Sequence, residues 1–282
     1  MMISTDTIKN TLFFDIETTT RYKTYEEYKE HEPECAQDFE NQIRKKREYD
    51  SMSVEDAYKE YGMLTPEHGQ VVTIACRIWN DEEGQWNDDI FGFESWEDYD
   101  GRDKKRADKD ILIKFNEVLY GIFGNKIGSL GGYRINKFDI PYLYRRMLMT
   151  GLYPQQTLIT VGVKSWDIKN LELYDWWTGT GANGYSGFSS ACELMGIGSS
   201  KEEGMDGRQV CFRFWDDHNI EGINQYCMRD VVKSAEFAIA LSEPKMKKRH
   251  QVTMEDYHRR MEEKKNKETE TNNTQEEGQK DG

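Results

Sequence analysis

The sequence predicts an α/β domain: a mixed central β-sheet flanked by α-helices, with a helical insertion after the first strand. Three observations predict it. Apolar runs of strand character occupy 11–17, 71–79 and 89–94. Helical apolar periodicity follows from 107, from 139 and from about 220. Between the first two strands lies a polar block, 21–69, whose aromatic residues recur at helical spacing. Strands alternating with helices point to a sheet covered by helices. Two early strands in succession suggest antiparallel pairs, with crossovers to parallel strands afterwards.

Taken in order, "TLFFDIETTT" opens the chain's first strand at 11–17. The block 21–69 is rich in Glu, Lys and Tyr. Tyr22, Tyr25 and Tyr28 share one helical spacing, and Val54, Tyr58 and Tyr61 share another, so a pair of amphipathic helices is expected. "VVTIACRIW" (71–79) is β-branched and apolar, and "DIFGFE" (89–94) reads as a third strand. The acidic stretch 81–110 is expected to hold turns and a loop. A helix from Ala107 presents Ile111, Phe115, Val118 and Ile122, with Gly124 as its stop. A glycine-weakened strand fits 127–133. A helix fits 139–152, with Asp139 able to cap it, Pro141 in its first turn and Gly151 at its end. Residues 165–177 read as a strand then a short helix, 178–187 as a flexible loop, and "FSSACELMGI" as a short helix closed by Gly196. The last helix starts near Ile220, with Ile223, Tyr226, Cys227, Asp230, Val231 and Ser234 on one face. From Glu243 the composition turns polar and charged. The expected organisation is therefore a folded domain over 1–242 and a disordered or loosely helical tail over 243–282.

Composition narrows the function classes. The net charge of −14 argues against a global positive field for nucleic acid, so any such role needs a local site. No run of about 18 apolar residues suggests a membrane span, and no amino-terminal signal pattern is seen. Five scattered cysteines without a C-x-x-C pair support neither a zinc site nor a disulfide framework. No membrane partner and a cytoplasmic setting are expected. The loop "GTGANGYSG" lacks the Lys of a phosphate-binding P-loop, and no histidine pair has zinc-hydrolase spacing.

Three acidic constellations carry chemistry. In a strand, residues i and i+2 share a face, so Asp15 and Glu17 point one way while Phe14 and Ile16 point the other. Two carboxylates on one face repel unless a cation lies between them, and such oxygen donors suit Mg²⁺ or Mn²⁺. The second constellation is Phe138-Asp139-Ile140-Pro141, an acid at a helix start. The third is Tyr226-Cys227-Met228-Arg229-Asp230, where the i, i+4 spacing stacks Tyr226 on Asp230. Each taken alone reads first as something plainer: a solvated strand face, a helix cap, or a local hydrogen bond.

In this order the three resemble the DEDD superfamily of 3′–5′ exonucleases, the DnaQ-like group with a ribonuclease H-like fold. "FFDIET", "FDIPYL" and "YCMRD" are similar to its three motifs in the tyrosine-bearing (DEDDy) subgroup, since Gln225 stands where the histidine subgroup has His. The wording around the motifs, including "LTPEHGQVVTIA", most resembles the proofreading domains of family-B DNA polymerases and stand-alone relatives. One departure is Arg134, where those relatives carry Asn before the second motif.

The resemblance implies two-metal phosphodiester hydrolysis with two divalent cations, Mg²⁺ or Mn²⁺. It implies that Asp15 bridges both ions, Glu17 and Asp230 complete the site that activates water, Asp139 supports the second ion, and Tyr226 orients the water. The product would be a nucleoside 5′-monophosphate released from a 3′ end. Single-stranded DNA or a frayed DNA 3′ end is the expected substrate, with a separate DNA polymerase or other replication protein as partner for proofreading in trans. Candidate nucleic-acid contacts are Thr18, Tyr133, Arg134, Lys137, Phe138, Arg145 and Arg146. Tyr133, Trp176 and Trp177 are candidates for base stacking, with core packing as the competing reading. Three alternatives stay open: RNA 3′ ends as substrate, a nuclease of the same fold that cuts internally, and a catalytically idle binding module.

Overall fold

A computed structural model of the chain describes residues 3–45, 51–164, 167–179, 186–199 and 207–242. Ser4 caps a short helix, α1 (Thr5–Lys9), by accepting a hydrogen bond from the Thr7 N–H at 3.0 Å. The chain then enters β1 (Thr11–Thr20), which runs past the expected end at 17 because its β-branched threonines go on pairing with Gly69–Val71.

The block after β1 holds three helices rather than the expected pair: α2 (Tyr25–His31), α3 (Pro33–Arg44) and α4 (Val54–Tyr61). Pro33 is the reason. It cannot continue a helix but suits the first turn of a new one, so the pattern breaks at Glu32 and restarts. The helices bury their own cluster of Tyr22, Tyr25, Tyr28, Phe39, Ile43 and Tyr58, with the rings of Tyr28 and Tyr58 stacked at 4.9 Å. A buried ion pair between Arg21 and Glu32 (3.0 Å) and a hydrogen bond between the Tyr28 hydroxyl and His68 Nδ1 (2.8 Å) tie this cluster to the ends of the sheet strands.

A 3₁₀ turn (Gly62–Leu64) leads into β2 (Gly69–Asn80), which folds back as β3 (Gln85–Gly92). β3 starts earlier than the expected 89 because the hairpin pairs Asn80 with Gln85, although the residues at its start are polar and solvent-facing. Within the expected acidic loop the chain forms α5 (Trp96–Asp100), then α6 (Lys109–Phe123), β4 (Ser129–Gly132) and α7 (Asp139–Met149). α6 buries Ile111, Leu112, Phe115 and Leu119, whereas Ile122 is exposed, correcting the expected stripe. "ILIKFNEVLYGIF" is apolar on several sides, so spacing alone does not choose between rows. β5 (Leu171–Glu172) runs into α8 (Leu173–Thr178), followed by α9 (Phe188–Leu194), α10 (Val210–Trp215) and the long α11 (Ile220–Ser242). Most of the expected loop 178–187, the start of the segment 165–177, and the tail from 243 lie outside the described residues.

The five strands lie in the order β3-β2-β1-β4-β5. β1–β2 and β2–β3 are antiparallel, while β1–β4 and β4–β5 are parallel. This mixed sheet with flanking helices is the ribonuclease H-like architecture. One face of the sheet (Leu12, Phe14, Ile16) packs on α6, α7 and α10 through Phe115, Leu143 and Phe214. The other face (Phe13, Ala75) packs on α11 through Cys227, Val231 and Ala235. Among the described residues no helix is long and apolar enough to cross a membrane.

Candidate active site

The site begins where β4 leaves β1. Their pairing ends at Phe13 and Gly131. A Cβ on Gly132 would meet Ile135 Cγ2 at 2.5 Å and the Phe14 carbonyl oxygen at 2.9 Å, so only glycine lets the chain turn this tightly over β1. β4 pairs with Thr11–Phe13 alone, which leaves a notch beside the second half of β1. Asp139 drops into that notch, and its Oδ1 accepts a hydrogen bond from the Ile16 N–H at 3.2 Å. Asp139 is thus not the cap of α7, as the sequence suggested: it occupies the first helical position, with Phe138 at the cap, and its carboxylate reaches β1 instead.

Strand alternation holds on β1. Phe14 and Ile16 join the core under α6 and α7, while Asp15 and Glu17 share the side that faces α11. Cys227 of α11 donates its thiol hydrogen to the Asp15 carbonyl at 3.4 Å. Ligand atoms of Asp15, Glu17 and Cys227 all lie within 4.8 Å of one another. Tyr226 and Asp230 project from the same face of α11, and the Tyr226 hydroxyl hydrogen-bonds Asp230.

The electrostatics are those of carboxylates that repel one another in a buried place. Burial drives the Asp15 carboxyl well above its usual range, reinforced by Asp139, Glu17 and Asp230. Burial does the same to Glu17, helped by Asp230 and Asp139. The Asp139 carboxyl is pushed up to about 7, first by burial. The Tyr226 phenol is driven up by burial and then by Glu17, Asp230 and Asp15, so it stays protonated at neutral pH. Four carboxyls meeting in a buried notch repel unless a cation joins them.

The residues expected to touch nucleic acid separate into groups. Arg146 is withdrawn from that role: it is fully buried and forms a two-pronged pair with Asp108 at 2.7 and 2.9 Å. Its neighbour Arg145 is half exposed and pairs with Glu67 at 2.8 Å. Arg134 adopts a left-handed backbone (φ 68°), and its guanidinium lies 4.3 Å from the Tyr174 ring centre, with the Lys137 ammonium 5.8 Å from the same ring. Tyr133 packs against Phe188 at 4.8 Å and donates its hydroxyl to the Ser186 carbonyl, while Trp177 packs on Phe237. For both of these the core-packing reading is the observed one. Thr18 is buried and donates to the Met63 carbonyl at 2.9 Å, which pins the 3₁₀ turn to β1.

The structure adds residues that the motifs did not flag. A groove of about 680 Å³ opens beside Glu17. Its walls include the expected contact Phe138 and, outside every motif, Arg208 and three residues of the insertion, Glu60, Tyr61 and Leu64. No local pattern singles these out, because they come from segments far apart in the chain. Glu172, at the end of β5, holds the connection between β4 and α7.

A family model described as a predicted 3′–5′ exonuclease related to the exonuclease domain of PolB matches residues 64–278. The matched span contains Asp139, Tyr226 and Asp230 and begins after α4, so Asp15 and Glu17 join the site through the fold and not through the match. No curated protein matches the chain. With this match over most of its length, the chain belongs to the family of predicted 3′–5′ exonucleases related to the PolB exonuclease domain.

Proposed function

We propose that the protein is a metal-dependent exonuclease that removes nucleotides one at a time from DNA 3′ ends, with single-stranded or frayed ends as substrate. The observation that carries this reading is the meeting of Asp15, Glu17, Asp139 and Asp230 with Tyr226 in one buried notch. The residues fit divalent cations. Their donor set is mostly carboxylate oxygen, which suits Mg²⁺ or Mn²⁺, and their mutual repulsion is what bound cations would relieve. Asp15, Glu17 and Asp230 would hold one ion, and Asp15 and Asp139 a second. Bound there, such ions would lower the pKa of water and offset the charge of the scissile phosphate.

The chain's own residues do the rest. The neutral Tyr226 hydroxyl donates to Asp230 and keeps its lone pairs available to orient the attacking water. Asp139 is held at a fixed place by the Ile16 N–H. The groove beside Glu17 has apolar walls at Leu64 and Phe138 on which an unpaired terminal base can stack. Arg134, Lys137 and Arg145 are proposed phosphate contacts. Within this reading, 1–242 is the catalytic domain and 243–282 an appended tail, the protein works in the cytoplasm, and a role in replication or repair, including proofreading in trans with a separate polymerase, is assigned to it.

The test is a 5′-labelled single-stranded oligonucleotide incubated with Mg²⁺ or Mn²⁺. A ladder shortening from the 3′ end is expected, absent with chelator and in Asp15→Ala and Asp230→Ala. Equal activity in the variants would overturn the site. Faster cutting of an RNA of the same sequence would reassign the substrate.

A further inference from the structure

We propose that Glu172 is a positioning residue of this centre: from the end of β5 its carboxylate locks the β4–α7 connection and thereby sets Asp139 against Asp15. The proposal rests on the active-site reading above and extends it to a residue outside the three motifs. Glu172 is buried, and both of its oxygens are used. Oε1 accepts from the Arg134 N–H at 2.6 Å and from the Tyr174 N–H at 3.2 Å, while Oε2 accepts from the Asn136 N–H at 3.0 Å.

The bond to Tyr174 alone would make Glu172 an ordinary cap for α8. The other two bonds have a different purpose, because they reach back to the segment that delivers Asp139. Arg134 sits in the left-handed region, where a non-glycine residue is strained and must be held by its surroundings. Glu172 holds it on one side. On the other, the Arg134 carbonyl accepts the N–H groups of Lys137 (3.0 Å) and Phe138 (3.1 Å), and the Ile135 carbonyl accepts that of Ile140 (3.0 Å). Asn170 donates to the Asn136 side chain at 2.8 Å and braces the same turn. A continuous series of hydrogen bonds therefore runs from Glu172 through Arg134 to the first turn of α7. Asp139 is at the end of that series, and its bond to Ile16 fixes it against β1.

Partners that orient a metal-binding carboxylate commonly matter about 10–100-fold to metal affinity or activity. Glu172→Gln keeps the shape, but its amide NH₂ faces the Asn136 N–H, donor against donor. In the full-length protein the expected result is a Mg²⁺ midpoint raised about 10-fold or more, in both thermal shift and turnover. At the wild-type's saturating Mg²⁺, kcat falls by about the same factor while KM for the oligonucleotide stays within about 3-fold. Excess Mn²⁺ restores part of the rate, and Glu172→Ala is more severe.

Gln155 is the structural control. It too is buried and makes three side-chain hydrogen bonds, to the Gly124 and Lys126 carbonyls and from the Thr157 N–H, at the other end of β4. Gln155→Ala should lower stability with the Mg²⁺ midpoint unmoved. A Glu172→Gln midpoint equal to wild type, or a Gln155→Ala midpoint shifted as far, overturns the proposal while leaving the active-site reading intact. A wild-type protein with no cation-dependent shift overturns both.

Discussion

Asp139→Asn should make the cation-free protein more stable and at the same time remove most of its response to Mg²⁺. Asn keeps the size of Asp139 and an oxygen that can accept the Ile16 N–H. What it removes is one charge from a buried cluster. The Asp139 carboxyl is pushed up to about 7 by burial, against an ordinary 3.8. For an acid raised in the folded state, stability is lost as pH rises from the ordinary value through the raised one, so the penalty is fully expressed above pH 7. That rise in pKa corresponds to roughly 4 kcal/mol as an upper bound. Relaxation and water entry reduce this, and each 1 kcal/mol that remains should raise the Tm by about 2–4 °C for a fold of this size. The wild type instead gains about 2.7 kcal/mol when Mg²⁺ reaches 100 times its Kd. The assay is calorimetry at pH 8, first with chelator and then across a MgCl₂ titration. A variant that is less stable with chelator, or that gains as much from Mg²⁺ as wild type, refutes the argument that these carboxylates form one cation site.

Three further outcomes follow from particular contacts. Asp108→Asn leaves the buried Arg146 guanidinium without its charge partner and should cost about 3–5 kcal/mol in urea unfolding, whereas Arg145→Ala, which breaks an exposed pair, should cost under about 1 kcal/mol. Loss of DNA binding without loss of stability in Arg146→Ala would return that residue to the phosphate-binding set. His68 is held neutral by burial and by Arg21, with its pKa pushed down to about 4, so stability should fall as pH drops from 6.5 toward 4, by at most about 3 kcal/mol; in His68→Gln that slope should flatten, and an unchanged slope would remove His68 as its source. Tyr226→Phe should reduce kcat about 100-fold with the Tm kept or raised, because the lost hydroxyl orients water and its ring packing survives; a fully active variant would end that role.

Much of the site was legible because its signals are local. Alternation on β1 places Asp15 and Glu17 together, and the i, i+4 spacing on α11 places Tyr226 with Asp230. The order of the main strands and helices was equally local, apart from α3, which Pro33 separates from α2, the polar beginning of β3, which owes its pairing to the hairpin, and the short helices α1, α5 and α10, which no expected helix covered. What the chain concealed depends on distant partners. Arg146 looked like a phosphate ligand beside Arg145, and only the fold reveals Asp108 as its counter-charge. Asp139 looked like a cap, and only the notch left by β4 turns it toward Ile16. Glu172 and the groove wall of Tyr61 and Leu64 belong to no motif, since each acts on residues far away in sequence.

The proposed function requires one cation centre between β1, α7 and α11. It is tested most directly by crystals grown with Mn²⁺ and measured for anomalous scattering, in wild type and in Asp15→Asn. Mn²⁺ peaks are expected in contact with the carboxylates of Asp15, Glu17, Asp139 and Asp230, lost or halved in the variant. A wild-type map with no peak there, or with its strongest peak elsewhere on the protein, would contradict it.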